Sequence, residues 1–426
     1  MKPYGFAMSA YLLARPVLQP LMRGVLRKRL QQGKEDVARV KEKLGEATLP
    51  RPAGPLIWLH AVGLGEVLAL RPLIASLQRL RPDLHFLLTS SARSSAQVIG
   101  KNLPPNTLHQ MLPLDGPAFM KRFLDHWRPD MSIWSEQDIW PGAIHDIAAR
   151  GIPLAYVNAR LNATSFKKRA RLSGLYRDTY RQFSLITAQD GQSAAHLRSL
   201  GAHAVSEIPS LKPAAEPLHV DSAELTRLQE LLAGRRVWVA ASTHAADERA
   251  LIPAQAMLHE KSSDYLLILT PRAPDRHAEI AQALRAAGLP FAQRSKKQDP
   301  APNSAVLLAD SFGELGLWFR LAKTAYIGAS LGGMGGHNPW EAICLGLPVI
   351  SGPDTSNFRA DYALLQAEGL AHQIPAGAEN ITAIANEILR EKSSEMQEKM
   401  RSLVANAREA TDRLASDLLG LMEITQ

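Results

Sequence analysis

At 426 residues and 46.6 kDa the chain is too long for one ordinary core, so two domains of roughly 200 residues are expected. A hydrophobic content of 46% is that of a globular protein, and the single cysteine, Cys344, excludes a disulfide framework and any cysteine-built zinc site. The net charge of +8 and a pI of 9.5 point to an anionic partner.

Residues 1–50 concentrate that charge. Arg15, Arg23, Arg27, Lys28, Arg29, Lys34, Arg39, Lys41 and Lys43 fall in or after the apolar run YGFAMSAYLLARPVLQPLMRGVLRKRL. Arg15, Pro16 and Pro20 interrupt this run short of the ~20 residues that span a bilayer, so the segment is expected to lie on an anionic membrane surface. The alternative is a helix packed on its own domain with its basic residues solvated. The charges follow the apolar run and no small-residue cleavage site precedes them, which argues against a signal peptide. No reader motif or cluster of stacking aromatics accompanies the basic stretch, so nucleic acid is not an expected partner.

From residue 55 short apolar runs alternate with helical patterns, the signature of parallel α/β layers. The strand candidates PLIWLHAV, LHFLLTS, LHQMLPL, DMSIWSE, IPLAYVN and FSLITAQ place a first domain at 51–210. The proline-bearing stretch 211–225 reads as a linker. RRVWVAAST, DYLLILTPR, SAVLLAD, TAYIGAS and LPVISGP then restart the pattern in a second domain at 226–426. The terminal helix TDRLASDLLGLMEITQ, counted with that domain, could pack on either. Two doubly wound sheets facing a cleft bind ligands at the carboxyl ends of their strands.

The first loop, GLGEVL, opens like a dinucleotide fingerprint, but its third glycine position is Leu68 and the second strand ends in Thr89, Ser90 and Ser91 with no acid for a ribose. Glu66 then sits at a helix start with no phosphate to repel. It is either a general base or an acid satisfying backbone donors. SEQDIWP ends another strand and aims Glu136 at the same crevice; its Glu-x-Asp spacing also resembles a metal pair, but no histidine cluster completes one.

YIGASLGGMGGHNPWEAICLGLPVISGP carries the strongest signal. A strand runs into Gly332, Gly333, Gly335 and Gly336, and a helix is expected to open with Asn338 as N-cap and Pro339 at its first position, an arrangement that attracts phosphate. Glu341 is a ribose ligand, a capping-box acid, or both. Ser311, Phe312, Gly313 and Glu314 form a second helix start; Arg272 of LTPRAPDR reaches a phosphate or base, or is an ordinary surface arginine. Lys212, in the interdomain stretch, could neutralise a leaving phosphate. His337 is read as a loop-ordering residue and Cys344 as core.

HAVGLGE, SEQDIWP, VNARL, SLKPA, ASTH, PRAPDR, FGELG and GGHNPWE, in this order over nearly the whole chain, resemble the 3-deoxy-D-manno-octulosonic acid (Kdo) transferases of lipopolysaccharide assembly. The resemblance implies a GT-B fold of two Rossmann-like domains with an amino-terminal membrane-associating helix. It implies an inverting, metal-independent and cofactor-free transfer of Kdo from CMP-Kdo to a lipid A precursor, peripheral on the cytoplasmic side of the inner membrane. Glu66 matches the family's base, and Glu136 and Lys212 match residues that assist the transition state. The CMP contacts fall on Pro271, Arg272, Phe312, Gly313, Glu314, Asn338, Pro339, Trp340 and Glu341. The chain carries Val62-Gly63, Gln137-Asp138-Ile139, Pro213-Ala214 and Gly332-Gly333-Met334 where the family usually has other residues. Rival readings are another lipid glycosyltransferase or a sugar-nucleotide epimerase with a different nucleotide, and a non-catalytic membrane scaffold.

Overall fold

The computed structural model describes residues 4–62, 64–91, 103–390 and 393–424, which form two compact units. Unit 1 comprises residues 1–215 and 407–426, and unit 2 residues 216–406.

Unit 1 is built on β1 (Leu56–His60), β2 (His85–Ser90), β3 (Thr107–Met111), β4 (Met131–Ser135), β5 (Leu154–Ala159), β6 (Leu185–Ala188) and β7 (Val205–Glu207). Its helices are α1 (Phe6–Gln31), α2 (Leu64–Leu80), α3 (Pro117–Trp127), α4 (Pro141–Ala148), α5 (Ala163–Ala170), α6 (Ser173–Tyr180) and α7 (Gly191–Ser199). All pairings are parallel, in the order β3-β2-β1-β4-β5-β6-β7. Strands buried on both faces read as unbroken apolar runs, and alternate residues serve opposite layers. Leu56 and Trp58 of β1 join Phe123, Trp127 and Ile144 of α3 and α4, while Ile57 and Leu59 join Leu70, Leu73 and Leu77 of α2. The order reverses between β1 and β4, which makes their carboxyl ends the expected ligand edge.

Unit 2 repeats the plan with β8 (Arg236–Thr243), β9 (Tyr265–Pro271), β10 (Phe291–Gln293), β11 (Val306–Leu308), β12 (Ala325–Ile327), β13 (Val349–Ser351) and β14 (Ala371–Gln373). Its helices are α8 (Ser222–Leu231), α9 (Ala245–Lys261), α10 (His277–Ala286), α11 (Leu315–Leu321), α12 (Trp340–Ile343), α13 (Arg359–Ala367) and α14 (Asn380–Leu389). The parallel order β10-β11-β9-β8-β12-β13-β14 reverses between β8 and β12. Val237 and Val239 face Leu317 and Trp318 of α11, whereas Trp238 and Ala240 face Leu251 and Leu258 of α9.

Two expectations, for the linker and the terminal helix, are corrected, and the amino-terminal segment is placed. The amino-terminal run is one continuous helix of 26 residues through Pro16 and Pro20, which lie on its exposed side, where the carbonyls they leave unpaired can meet water. The segment packs on unit 1, as the alternative reading expected. Met8, Arg15 and Leu26 are buried, and the Arg15 guanidinium, 3% exposed, bonds Asp115 Oδ1 at 3.1 Å and Asp146 Oδ2 at 2.7 Å. The linker expected at 211–225 is largely structured: Lys212–Ala214 form a 3-10 turn in unit 1, and α8 of unit 2 opens at Ser222 under an Asp221 cap. The last helix, α15 (Ser394–Ile424), returns to unit 1, because Leu414, Ala415, Leu418 and Met422 complete the layer holding α2. No helix among the described residues is long and apolar enough to cross a membrane.

Candidate active site

In unit 1, β1 runs into α2, and the first turn of the helix carries Glu66. Its Oε2 accepts the Val62 backbone N–H at 2.8 Å, a bond that closes the turn and fixes the carboxylate at the β1 end of the ligand edge. Gly63, the first glycine of this loop, lies outside the described residues.

Glu136 follows β4, the neighbouring strand, with a φ of 59° that turns the chain sharply. Its side chain is buried, and Oε1 accepts from Asn158 Nδ2 at 3.4 Å. The Glu136 carbonyl takes the Arg160 N–H at 3.2 Å and the Tyr156 hydroxyl. Asn158, itself at φ 52°, passes the connection on: its Oδ1 accepts the Leu211 N–H at 3.4 Å, immediately before Lys212. Leu211 shares a core layer with Val67 and Leu70 of α2. The structure therefore assembles Glu66, Glu136 and Lys212 on one unit, with Asn158 as the link that sequence reasoning passed over inside VNARL.

A pair of residues was also missed. His60 ends β1 fully buried, with Nδ1 3.0 Å from Thr89 Oγ1 and Nε2 3.3 Å from Asp138 Oδ2. Both residues lie within quoted motifs, HAVGLGE and SEQDIWP. Polar residues at or shortly after the ends of apolar runs were the available signal.

In unit 2, Asp247 organises the glycine loop. Fully buried, it accepts from Tyr326 Oη at 2.9 Å and Leu331 N at 3.2 Å on Oδ1, and from Ala329 N at 2.8 Å and His244 N at 3.0 Å on Oδ2. Positive φ angles of 71°, 85° and 73° at Gly333, Gly335 and Gly336 bend the loop. A Cβ on Gly328 would stand 2.4 Å from the Ser242 carbonyl oxygen, so the ends of β8 and β12 can approach only with glycine there.

The expected helix at Asn338 is corrected. α12 has four residues and starts at Trp340, with Pro339 as its cap; Asn338 Oδ1 accepts the Trp340 N–H at 3.2 Å. So short a helix has little dipole to offer a phosphate, and the exposed Gly332 and Gly333 of the loop are the better backbone cradle. Trp340 is buried, its indole donating to Asp361 at 2.8 Å, and Pro339 and Pro271 are buried too; these three shape the loops. Burial raises the Glu341 carboxyl, against the lowering pull of Arg272 and a bond from Asn338. His337 stands 3.2 Å from His244, ring nitrogen to ring nitrogen, and burial with repulsion from His244 and Arg272 lowers it to about 4. The charge of the exposed Arg272 thus works to lower both His337 and Glu341, whereas Arg276 is committed to Glu248 and Glu279.

Phe312, Gly313 and Glu314 follow β11. Phe312 is 76% exposed, and a Cβ on Gly313 would meet open space. Burial works to raise Glu314, but its bonds from Arg294 and Ser311 outweigh this and hold it below the usual carboxylate range. Gly313, Glu314 and Arg294 help line a cavity of about 370 Å³. Among the described residues, no three His, Cys, Asp or Glu side chains gather as a metal site.

Comparison with known proteins identifies the family. The family described as 3-Deoxy-D-manno-octulosonic-acid transferase (kdotransferase) matches residues 38–215. A UDP-GlcNAc 2-epimerase from Neisseria meningitidis is similar in fold alone, with a TM-score of 0.55 at 14% identity, over 86% of this chain and 99% of that one. The 3-deoxy-D-manno-octulosonic acid transferase of Haemophilus influenzae is 30% identical over 91% of this chain and 91% of its own length. That of Rickettsia bellii is 34% identical over 87% of this chain and 88% of its own, and the chain belongs to this family of Kdo transferases.

Proposed function

We propose that the chain moves Kdo from CMP-Kdo to a lipid A precursor with inversion, in a GT-B arrangement with unit 1 as the acceptor side and unit 2 as the nucleotide side. The observation that carries this reading is Glu66, held by the Val62 N–H at the reversal of strand order where a bound alcohol would reach it. Its carboxylate takes the proton of the attacking sugar hydroxyl. The oxygen bonds to the anomeric carbon as the bond from that carbon to the phosphate oxygen breaks, and CMP leaves with the electron pair. Lys212, Arg272 and the amides of the glycine loop offset the charge that collects on the leaving phosphate. Glu136 holds Asn158 and, through it, the segment bearing Lys212. Pro271, Asn338, Pro339 and Trp340 shape the nucleotide wall. Phe312, Gly313, Glu314 and Glu341 contact base and ribose.

The membrane reading rests on α1, where Phe6, Leu13, Val17, Leu21 and Val25 are exposed along one side near the exposed Arg27 and Lys28. The docked helix would lay that stripe on the anionic cytoplasmic face of the inner membrane.

Glu66→Gln tests the base. The amide oxygen can keep the Val62 bond, so the fold and CMP binding should persist while kcat falls at least about 100-fold. Turnover within a few-fold of the parent would remove Glu66 from the mechanism.

A further inference from the structure

The two acids that follow β4 point different ways. Glu136 is buried and engaged with Asn158, whereas the Asp138 side chain is 29% exposed and meets the protein through His60. With His60 neutral, the hydrogen bonds behind Asp138 have one consistent direction. The Trp58 indole can only donate, and it does so to Thr89 Oγ1 at 2.9 Å. The single Thr89 proton then has two acceptors in reach, His60 Nδ1 at 3.0 Å and the Leu59 carbonyl at 3.3 Å. Donation to Nδ1 places the imidazole proton on Nε2, where Asp138 Oδ2 accepts it at 3.3 Å. The other choice sets the Nε2 lone pair against a carboxylate oxygen. Trp58, Thr89 and His60 thus form a buried chain of donors ending on one oxygen of Asp138, and such chains strengthen along their length.

We propose that Asp138 is an acceptor-recognition residue: with Oδ2 held by His60, its other oxygen accepts a hydrogen bond from a sugar hydroxyl beside the one that reacts. His60 is a positioning residue that acts through it. A carboxylate only accepts and repels phosphate, so the group it reads is a hydroxyl and not the anionic part of the acceptor. The assignment rests on the reading of unit 1 as the acceptor side.

The test uses the full chain with Asp138→Ala, His60→Phe and His60→Gln. Binding of a lipid A precursor disaccharide in detergent micelles is measured by thermophoresis, together with KM for acceptor and for CMP-Kdo and the melting temperature. Asp138→Ala should weaken acceptor binding and raise acceptor KM about tenfold to a hundredfold, with the CMP-Kdo KM within twofold. His60→Phe should follow it, and His60→Gln, whose amide can donate near the place of Nε2–H, should recover most of the loss. Wild-type acceptor affinity in Asp138→Ala, or a rise confined to the CMP-Kdo KM, would overturn the assignment. Equal losses in His60→Phe and His60→Gln would overturn the positioning role. A parent protein that binds CMP but not the disaccharide would instead sink the acceptor reading of unit 1, and this assignment with it.

Discussion

Asp247 collects four donors, as many as a carboxylate can accept; three of them are backbone N–H groups, those of Ala329 and Leu331 entering the glycine loop and that of His244 capping α9. Replacement by Ala leaves His244, Ala329 and Leu331 without their acceptor, while Tyr326 keeps Ser330 Oγ at 3.1 Å. At about 1–3 kcal/mol for each orphaned group, partly relieved by water, the loss should reach ~4 kcal/mol or more. Replacement by Asn is milder. Its oxygen can keep His244 and Ala329, its amide can donate to the Tyr326 oxygen, and only the Leu331 N–H is stranded, a cost of about 2 kcal/mol. For a unit of this size about 2–4 °C accompany each kcal/mol, so the variants should melt ~12 °C and ~6 °C below the parent. Scanning calorimetry would read this on the transition that CMP shifts, and CMP affinity should fall in the same order because the loop loses its anchor. Equal losses in the two variants, or an Ala variant within 2 °C of the parent, would refute the argument.

Removing Arg15 should strand the buried Asp115, whose carboxyl burial already raises; Arg15→Ala is expected to cost unit 1 about 3–5 kcal/mol, read as a drop of roughly 10 °C in its calorimetric transition. His109 predicts an acid-sensitive window. Burial, then the neighbouring Arg39, lower it to about 3, so below pH 6.5 the unfolded chain binds a proton that the folded chain refuses. Stability should therefore fall by up to about 1.4 kcal/mol per pH unit between 6.5 and 3, and urea titrations of His109→Gln should show a shallower slope. Leu13→Asp with Val17→Asp should leave melting and CMP binding unchanged but reduce co-sedimentation with anionic vesicles about tenfold or more; undiminished co-sedimentation would discard α1 as the contact.

The long central strands were legible because burial on both faces writes unbroken apolar runs, as in RVWVAAST and YLLILTP. β7, β10 and β14 were not, being three-residue pieces too short to show a period, with β7, β10 and β14 all at sheet edges. In the site, Glu66 announced itself through a loop that failed as a phosphate cradle. Asn158, His60 and Asp247 did not, because their importance lies in partners tens of residues away in the chain, which no local pattern records. The helix expected at Asn338 failed for a different reason. The helical signal was real, but Gly346, at φ 80°, stops it after one turn, so the cap residues serve a tight corner.

The return of α15 to unit 1 has a consequence for synthesis. The layer of α2 stays open until residues 414–422 emerge, after all of Glu216–Asn406 has been translated. At ~5–20 residues per second, a nascent chain would carry an uncovered leucine-rich face for on the order of 10–40 s. That interval favours chaperone capture, and a ribosome stalled near the end would release a first lobe lacking its closing seam.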